Sequence, residues 1–205
     1  MAHHRSAPLQ NFLECAQKTI AARVGTDTSA ARAMARVNAA CGDVPVGDDR
    51  RSEIAAETAL PVCRHLEPAI ASLERGPADL VELARAMRVL APQMVWRPRA
   101  SADPIFTAGH ANASILGAEA HAVEQRGDVR IGISLVAPGI TYPDHHHPPE
   151  EVYIVLSGGE WRQNANPWHA PGVGGIVYNP PDIIHAMRAG SEPLLAIWCL
   201  PVSPA

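Results

Sequence analysis

The sequence predicts a mainly β fold, a small barrel of short strands, preceded by an α-helical N-terminal region. Three observations carry this prediction. Apolar residues in the first hundred positions recur with the helical period. From residue 101 the texture changes to short alternating runs broken by Gly, Pro and Asn at roughly 8–12-residue intervals, as in small barrels and sandwiches. A composition 47% hydrophobic and 19% charged is that of a packed core and not of a disordered chain. The 205 residues therefore divide into a helical region, 1–100, and a β-barrel, 101–205.

In the helical region, Leu9, Phe12, Leu13, Ala16 and Ile20 form an amphipathic stripe that ends near Gly25. Ala30 to Ala40 is Ala-rich, stops at Gly42 and has Thr28 or Ser29 as its N-cap. The segment 41–50 reads as a loop, and helical character resumes from Ser52 to Leu60. Pro61 starts or bends the next piece, with Leu66, Ile70 and Leu73; after Gly76-Pro77, Asp79 is a cap candidate for the stripe Leu80, Leu83, Ala84, Met87 and Leu90. The stretch 98–104 marks the change of regime. Strands are expected at Ala113–Leu116, Val129–Ala137, Thr141–His147, Val152–Leu156, Ile176–Tyr178, Ile184–Arg188 and Leu194–Leu200.

Charge is unevenly distributed: residues 1–100 carry 13 Lys/Arg against 11 Asp/Glu, and 101–205 carry 4 against 10. An acidic C-terminal half is a poor nucleic-acid binder and a mildly favourable setting for a cation. Cys15, Cys41, Cys63 and Cys199 are scattered, without a C-x-x-C pair, and read as small buried hydrophobes. No apolar run approaches the ~20 residues of a membrane span, and the N-terminus lacks a signal-peptide core. The expectation is a cytoplasmic protein without a membrane partner.

The chemistry concentrates in Gly139–Gly158, which has the spacing G-x5-H-x-H-x3-E-x6-G. Residues two apart in a strand share a face. His145 and His147 therefore point together and His146 points away. After Pro148-Pro149, Glu151, Tyr153 and Val155 share one face, and Val152, Ile154 and Leu156 share the other. The ligands are thus expected on two neighbouring strands, with His185 added by a further strand pair. Three nitrogens and one carboxylate suit Zn²⁺, Fe²⁺, Mn²⁺, Ni²⁺ or Co²⁺. A lone His in a strand is more often surface or satisfied core than ligand, and His110, His121 and His169 are read that way. Glu150 competes with Glu151, and parity and spacing favour Glu151.

Gly139, His145, His147, Glu151 and Gly158 match the first motif of the cupin superfamily, and Gly174, Pro180 and His185 match part of the second. Asp182 stands where a Gly is usual, and Ala189 where an Asn is usual. The runs TYPDHHHPPEEVYIVLSGGEW, GGIVYNPPDIIHAMRAG and PLLAIWCLP more closely resemble the cupin-type dimethylsulfoniopropionate (DMSP) lyases of the DddL/DddQ branch. That resemblance implies a cupin barrel behind a helical region and one divalent transition metal ion on His145, His147, Glu151 and His185. It implies that Tyr153 completes the metal site and that Tyr142 lines it, and a homodimer is an assembly open to such a barrel.

The implied reaction is β-elimination of DMSP to dimethyl sulfide and acrylate. The metal binds the substrate carboxylate and Tyr153 is the base, with Tyr142 and Tyr178 in reserve. Trp198, Trp161 and Tyr178 are candidates for a wall around the sulfonium, which aromatic faces attract. Arg126, Arg130, Arg162 and Arg188 are the basic side chains expected nearby, so the metal is the expected carboxylate anchor. The ligand set equally fits an Fe²⁺ cupin dioxygenase acting on a small organic acid, and a non-catalytic binder is the third reading.

Overall fold

A computed structural model describes residues 5–42 and 60–202. The helix expected over 52–60, except Leu60, and most of the loop expected over 41–50 fall outside the described residues. Helix α1 (Ala7–Ala21) begins with Pro8 in its first turn, where a missing N–H costs nothing, and buries the expected stripe from Leu9 to Ile20. Helix α2 (Ser29–Gly42) is capped by Thr28, whose hydroxyl oxygen accepts from the Ala31 amide at 3.0 Å. A 3-10 turn (Pro61–His65) runs into α3 (Leu66–Leu73), and α4 (Ala78–Leu90) follows. Asp79 is not the cap of α4. Pro77 occupies that position, and the Asp79 carboxylate accepts instead from Arg23 at the end of α1.

Strands β1 (Trp96–Arg97), β2 (His110–Gly117), β3 (Glu124–Gln125), β4 (Val129–Val136), β5 (Thr141–His145), β6 (Glu151–Val155), β7 (Glu160–Gln163), β8 (Ile176–Asn179), β9 (His185–Arg188) and β10 (Leu194–Pro201) follow, with a short helix α5 (Pro104–Gly109) before β2. One sheet has the order β1-β2-β4-β10-β6-β8 with β3 beside β2, and the other has the order β5-β9-β7. All pairs are antiparallel except β2 with β3. The seven expected strands are present. The unforeseen β1, β3, β7 and α5 are too short to display a period.

Strand parity sorts the core into two clusters. Val152, Ile154 and Leu156, with Leu195, Ile197 and Cys199 of β10, join the buried stripes of α1 to α4. Tyr153, Val155, Ala196, Trp198 and Leu200 face the second sheet, where they meet Tyr142, Trp161 and Met187. β6 and β10 are thus buried on both faces, and the helices share one core with the outer face of the large sheet. Each fully buried Phe, Leu or Ile contributes roughly 1.5–3 kcal/mol, which ties the two regions together. All four cysteines are free, Cys41 and Cys199 buried. No helix among the described residues is long and apolar enough to cross a membrane.

Arginines clasp the helices to the strands. Arg5 bonds Glu124 on β3 through two N–H···O contacts, at 2.6 and 2.8 Å, and donates to the Cys41 carbonyl at 3.1 Å. Arg126 binds Asp128 with two bonds of 2.7 Å, reaches Glu124 at 2.9 Å and donates to the Ala40 carbonyl at 2.6 Å. The two guanidiniums thereby satisfy carbonyls at the C-terminal end of α2, where positive charge is favoured. Their side chains are only 4% and 1% exposed, so removing a partner strands buried charge. Glu124→Gln is expected to lower unfolding free energy by about 3 kcal/mol, read by chemical denaturation. Burial alone would raise the Glu124 carboxyl, but Arg5 and Arg126 hold it below its ordinary value; Arg126 does the same for Asp128. Because both are depressed in the folded state, their contribution is complete above the unfolded carboxylate range near pH ~4 and is lost as pH falls below it. The acid limb of the stability curve should therefore be shallower in Glu124→Gln than in wild type.

Candidate active site and metal centre

His145 ends β5 and His185 begins β9, where the two are register partners. His147 lies in the turn that leaves β5, and Glu151 opens β6 in the other sheet. The ligand candidates therefore do not sit on two neighbouring strands, as expected, but on strands of two facing sheets. The physical reason is Pro148-Pro149: neither proline has an N–H to continue a ladder, so the chain leaves one sheet there and enters the other.

Each imidazole is fixed by its own backbone. Nδ1 of His145, His147 and His185 lies 3.0, 2.8 and 2.9 Å from the carbonyl oxygens of Pro143, Pro149 and Ile183. A carbonyl can only accept, so each Nδ1 carries a proton, and in the neutral ring Nε2 keeps its lone pair. The three rings present ligand atoms within 4.8 Å of one another. Glu151 Oε2 is 3.5 Å from Nε2 of His147 and 3.3 Å from Nε2 of His185. Nε2 of His185 is buried without a hydrogen bond.

Electrostatics favour a cation here. Burial, then the neighbouring His185, pushes His145 down to about 3, leaving it neutral. Burial opposes ionisation of Glu151, yet His147 and His185 hold its carboxyl down at about 2. His147 is lowered by burial but raised on balance by Glu151. A buried anion facing imidazole lone pairs has to be balanced by positive charge. The donor set, three nitrogens and a carboxylate, fits a divalent transition metal.

A second layer holds Glu151 in place. Asn179, its register partner on β8, donates to Oε2 at 2.9 Å and in turn accepts from Gln163 Nε2 at 2.7 Å. Glu150 points the other way, paired with Arg36 of α2 and accepting from the Tyr178 hydroxyl at 2.8 Å. His146 is an exposed bystander near Asp182. Asp182 has φ 57° and donates its amide to the His147 carbonyl at 2.9 Å, a left-handed turn of the kind that favours Gly.

The aromatic residues divide. Tyr153 pairs across strands with Trp198 and lies 6.1 Å from Trp161, ring centre to ring centre. Gly132 makes room for Trp198: a Cβ there would lie 2.1 Å from the indole. Tyr142 also faces inward, its ring 4.4 Å from His145. Three residues apart on a regular strand, these two would point oppositely; a register shift between them turns both inward. Tyr178 is a correction. Val177 faces the interior opposite Tyr153, so Tyr178 points outward and packs with the helical core, away from any sulfonium wall.

Arg99 and His110 were not foreseen at the site. Arg99 donates to the Tyr142 hydroxyl, and His110 stacks on Phe106 at 5.0 Å and meets the Tyr142 ring at 4.8 Å. The signal for His110 was available in its parity, since it starts β2, three residues before the expected strand. Asn179 and Gln163 carried no motif. Removing such an outer hydrogen bond typically costs 10–100-fold in metal affinity. Asn179→Ala is therefore expected to weaken Zn²⁺ or Fe²⁺ binding by about that factor, measured by chelator competition, with the fold intact by circular dichroism.

The family model for dimethylsulfoniopropionate lyase matches residues 29–196. A protein named as DMSP lyase DddL, from Cereibacter sphaeroides, is 32% identical over 148 residues, 71% of this chain and 59% of its own. DMSP lyase DddQ of Ruegeria pomeroyi is 37% identical over 60 residues, 29% of this chain and 30% of its own. The chain thus spans about three fifths or less of the length of these curated relatives. Among solved structures, a chain from the crystal structures of the DMSP lyases RdDddP and RnDddQII superposes with a TM-score of 0.66 at 21% identity, covering 96% of this chain and 93% of that one. The Ruegeria pomeroyi DddQ crystal structure superposes at 0.60 and 20% identity, covering 96% and 92%. These two superpositions establish the shared cupin fold with its N-terminal helices. By the match of its family model across most of its length, the chain belongs to the dimethylsulfoniopropionate lyase family.

Proposed function

We propose that this chain is a metal-dependent lyase that cleaves DMSP into dimethyl sulfide and acrylate. The observation that carries the reading is the group of three converging imidazoles, two of which lie 3.5 and 3.3 Å from the Glu151 carboxylate, flanked by the phenols of Tyr142 and Tyr153. Family membership supports the substrate.

His145, His147, His185 and Glu151 would hold one divalent transition metal ion (Zn, Fe, Mn, Ni or Co). Bound there, the ion supplies Lewis-acid stabilisation of the substrate carboxylate and offsets the Glu151 charge that opposes a phenolate nearby. Tyr153, once its own proton has left to solvent, takes as phenolate the proton from the carbon next to the carboxylate and becomes the neutral phenol. The C–H electrons form the carbon–carbon double bond, and the C–S electrons leave with neutral dimethyl sulfide. Burial first, and Glu151 second, raise the free Tyr153 phenol well above its ordinary value. Trp161 and Trp198 supply aromatic faces for the sulfonium, each worth roughly 0.5–2 kcal/mol.

One observation favours a second assignment of the base. Burial raises the Tyr142 phenol too, but Arg99 opposes that rise by donating to its oxygen. Tyr153→Phe is expected to lower the rate of dimethyl sulfide release from DMSP by about 10²-fold or more, and Tyr142→Phe by about tenfold, measured in the headspace under anaerobic conditions. The reverse order would make Tyr142 the base. No release by metal-loaded wild type, or release that needs O₂, would remove the lyase reading.

A further inference from the structure

Around the site, the expected basic side chains are each neutralised. Arg130 pairs with Glu119, Arg162 with Asp144, Arg188 with Glu160, and Arg126 with Asp128 and Glu124. Arg99 differs. Among the described residues it is paired with no carboxylate; its guanidinium donates to the Tyr142 hydroxyl and lies 5.3 Å from that ring's centroid. A guanidinium has five N–H donors in a fork matched to carboxylate geometry, and one contact to a phenol leaves most of them open. The other face of this arrangement is the metal cluster, because Tyr142 packs at 4.4 Å against His145. The Tyr142 ring therefore stands between the guanidinium of Arg99, an exposed residue, and the imidazole of His145. Beside the same ring sits His110, 1% exposed, with both ring nitrogens lacking any partner. Buried polar groups are rarely left so, and a polar ligand at this edge of the site would give His110 something to bond.

We propose that Arg99 is the anchor for a carboxylate ligand, holding the carboxylate end of the substrate, and of the acrylate product, on the Tyr142 side of the site. One carboxylate oxygen on Arg99 leaves the other directed at the histidine cluster. The sulfonium end then lies toward Tyr153 and Trp161, away from Arg99, which would repel it; the Trp198 ring already has the Arg130 guanidinium 5.9 Å from its centroid. Arg99 thus fixes which way round a zwitterion enters. The identity of the substrate rests on the lyase reading; carboxylate binding by Arg99 does not.

The probe is propionate, which carries the carboxylate but has no sulfonium to lose. Its binding to metal-free wild type, Arg99→Gln and Arg99→Lys is measured by titration calorimetry. A charge-assisted hydrogen bond is lost in the Gln variant, so at least about tenfold weaker binding is expected there, with most of the affinity kept in Arg99→Lys. In the metal-loaded enzyme, Arg99→Gln should raise KM for DMSP about tenfold and leave kcat within about twofold, the signature of a lost binding contact. Equal propionate affinity in wild type and Arg99→Gln, or no propionate binding by wild type, overturns the proposal. A fall in kcat with a displaced alkaline limb and unchanged propionate binding also overturns it, by showing that Arg99 acts through Tyr142. Arg99-dependent propionate binding without dimethyl sulfide release would sink the lyase reading alone.

Discussion

Three backbone carbonyls, those of Pro143, Pro149 and Ile183, each take the Nδ1 proton of the imidazole two residues away from them. That constraint orients everything else in the site. With Nδ1 committed, Nε2 of each neutral ring presents a lone pair to the interior, and Glu151 adds a buried carboxylate to the same space. Asn179 donates to one Glu151 oxygen, while Nε2 of His185 is buried without a hydrogen bond. The fold has assembled a place that suits a cation.

Holding that arrangement requires both faces of the large sheet to be buried. The inner face presents Tyr153 and Trp198, while the outer face, through Val152, Ile154 and Ile197, is covered by the helices. The helices also reach the ligand turn directly, because Arg36 of α2 binds Glu150, the residue before Glu151. The Arg5 and Arg126 latch closes the far end of α2 against β3. The described helices thereby support the geometry of the site from behind.

Much of this was legible in the sequence because it depends on parity. Alternation in 151–156 separated Glu151 and Tyr153 from Val152 and Ile154; Trp198 stands in an unbroken apolar run, and its inward face follows from its pairing with Tyr153. What parity could not show is where it breaks. Tyr142 and His145 share a face only because of the register shift between them, and the double proline carries the ligands onto two sheets where two neighbouring strands were expected. Tyr178 was misassigned by grouping aromatics without counting their phase against Val177. Arg99 lies beside a piece too short for any period, so its approach to Tyr142 is a tertiary fact, whereas His110 opens β2 and was within reach of parity.

The central claim is that the three Nε2 atoms and Glu151 are one metal centre. It is tested most directly by anomalous diffraction from crystals of the metal-loaded protein at the metal's absorption edge. The account predicts a single strong peak bonded to Nε2 of His145, His147 and His185 and to a Glu151 oxygen, with every Nδ1 still on its carbonyl. A peak elsewhere, or coordination through Nδ1, would contradict it.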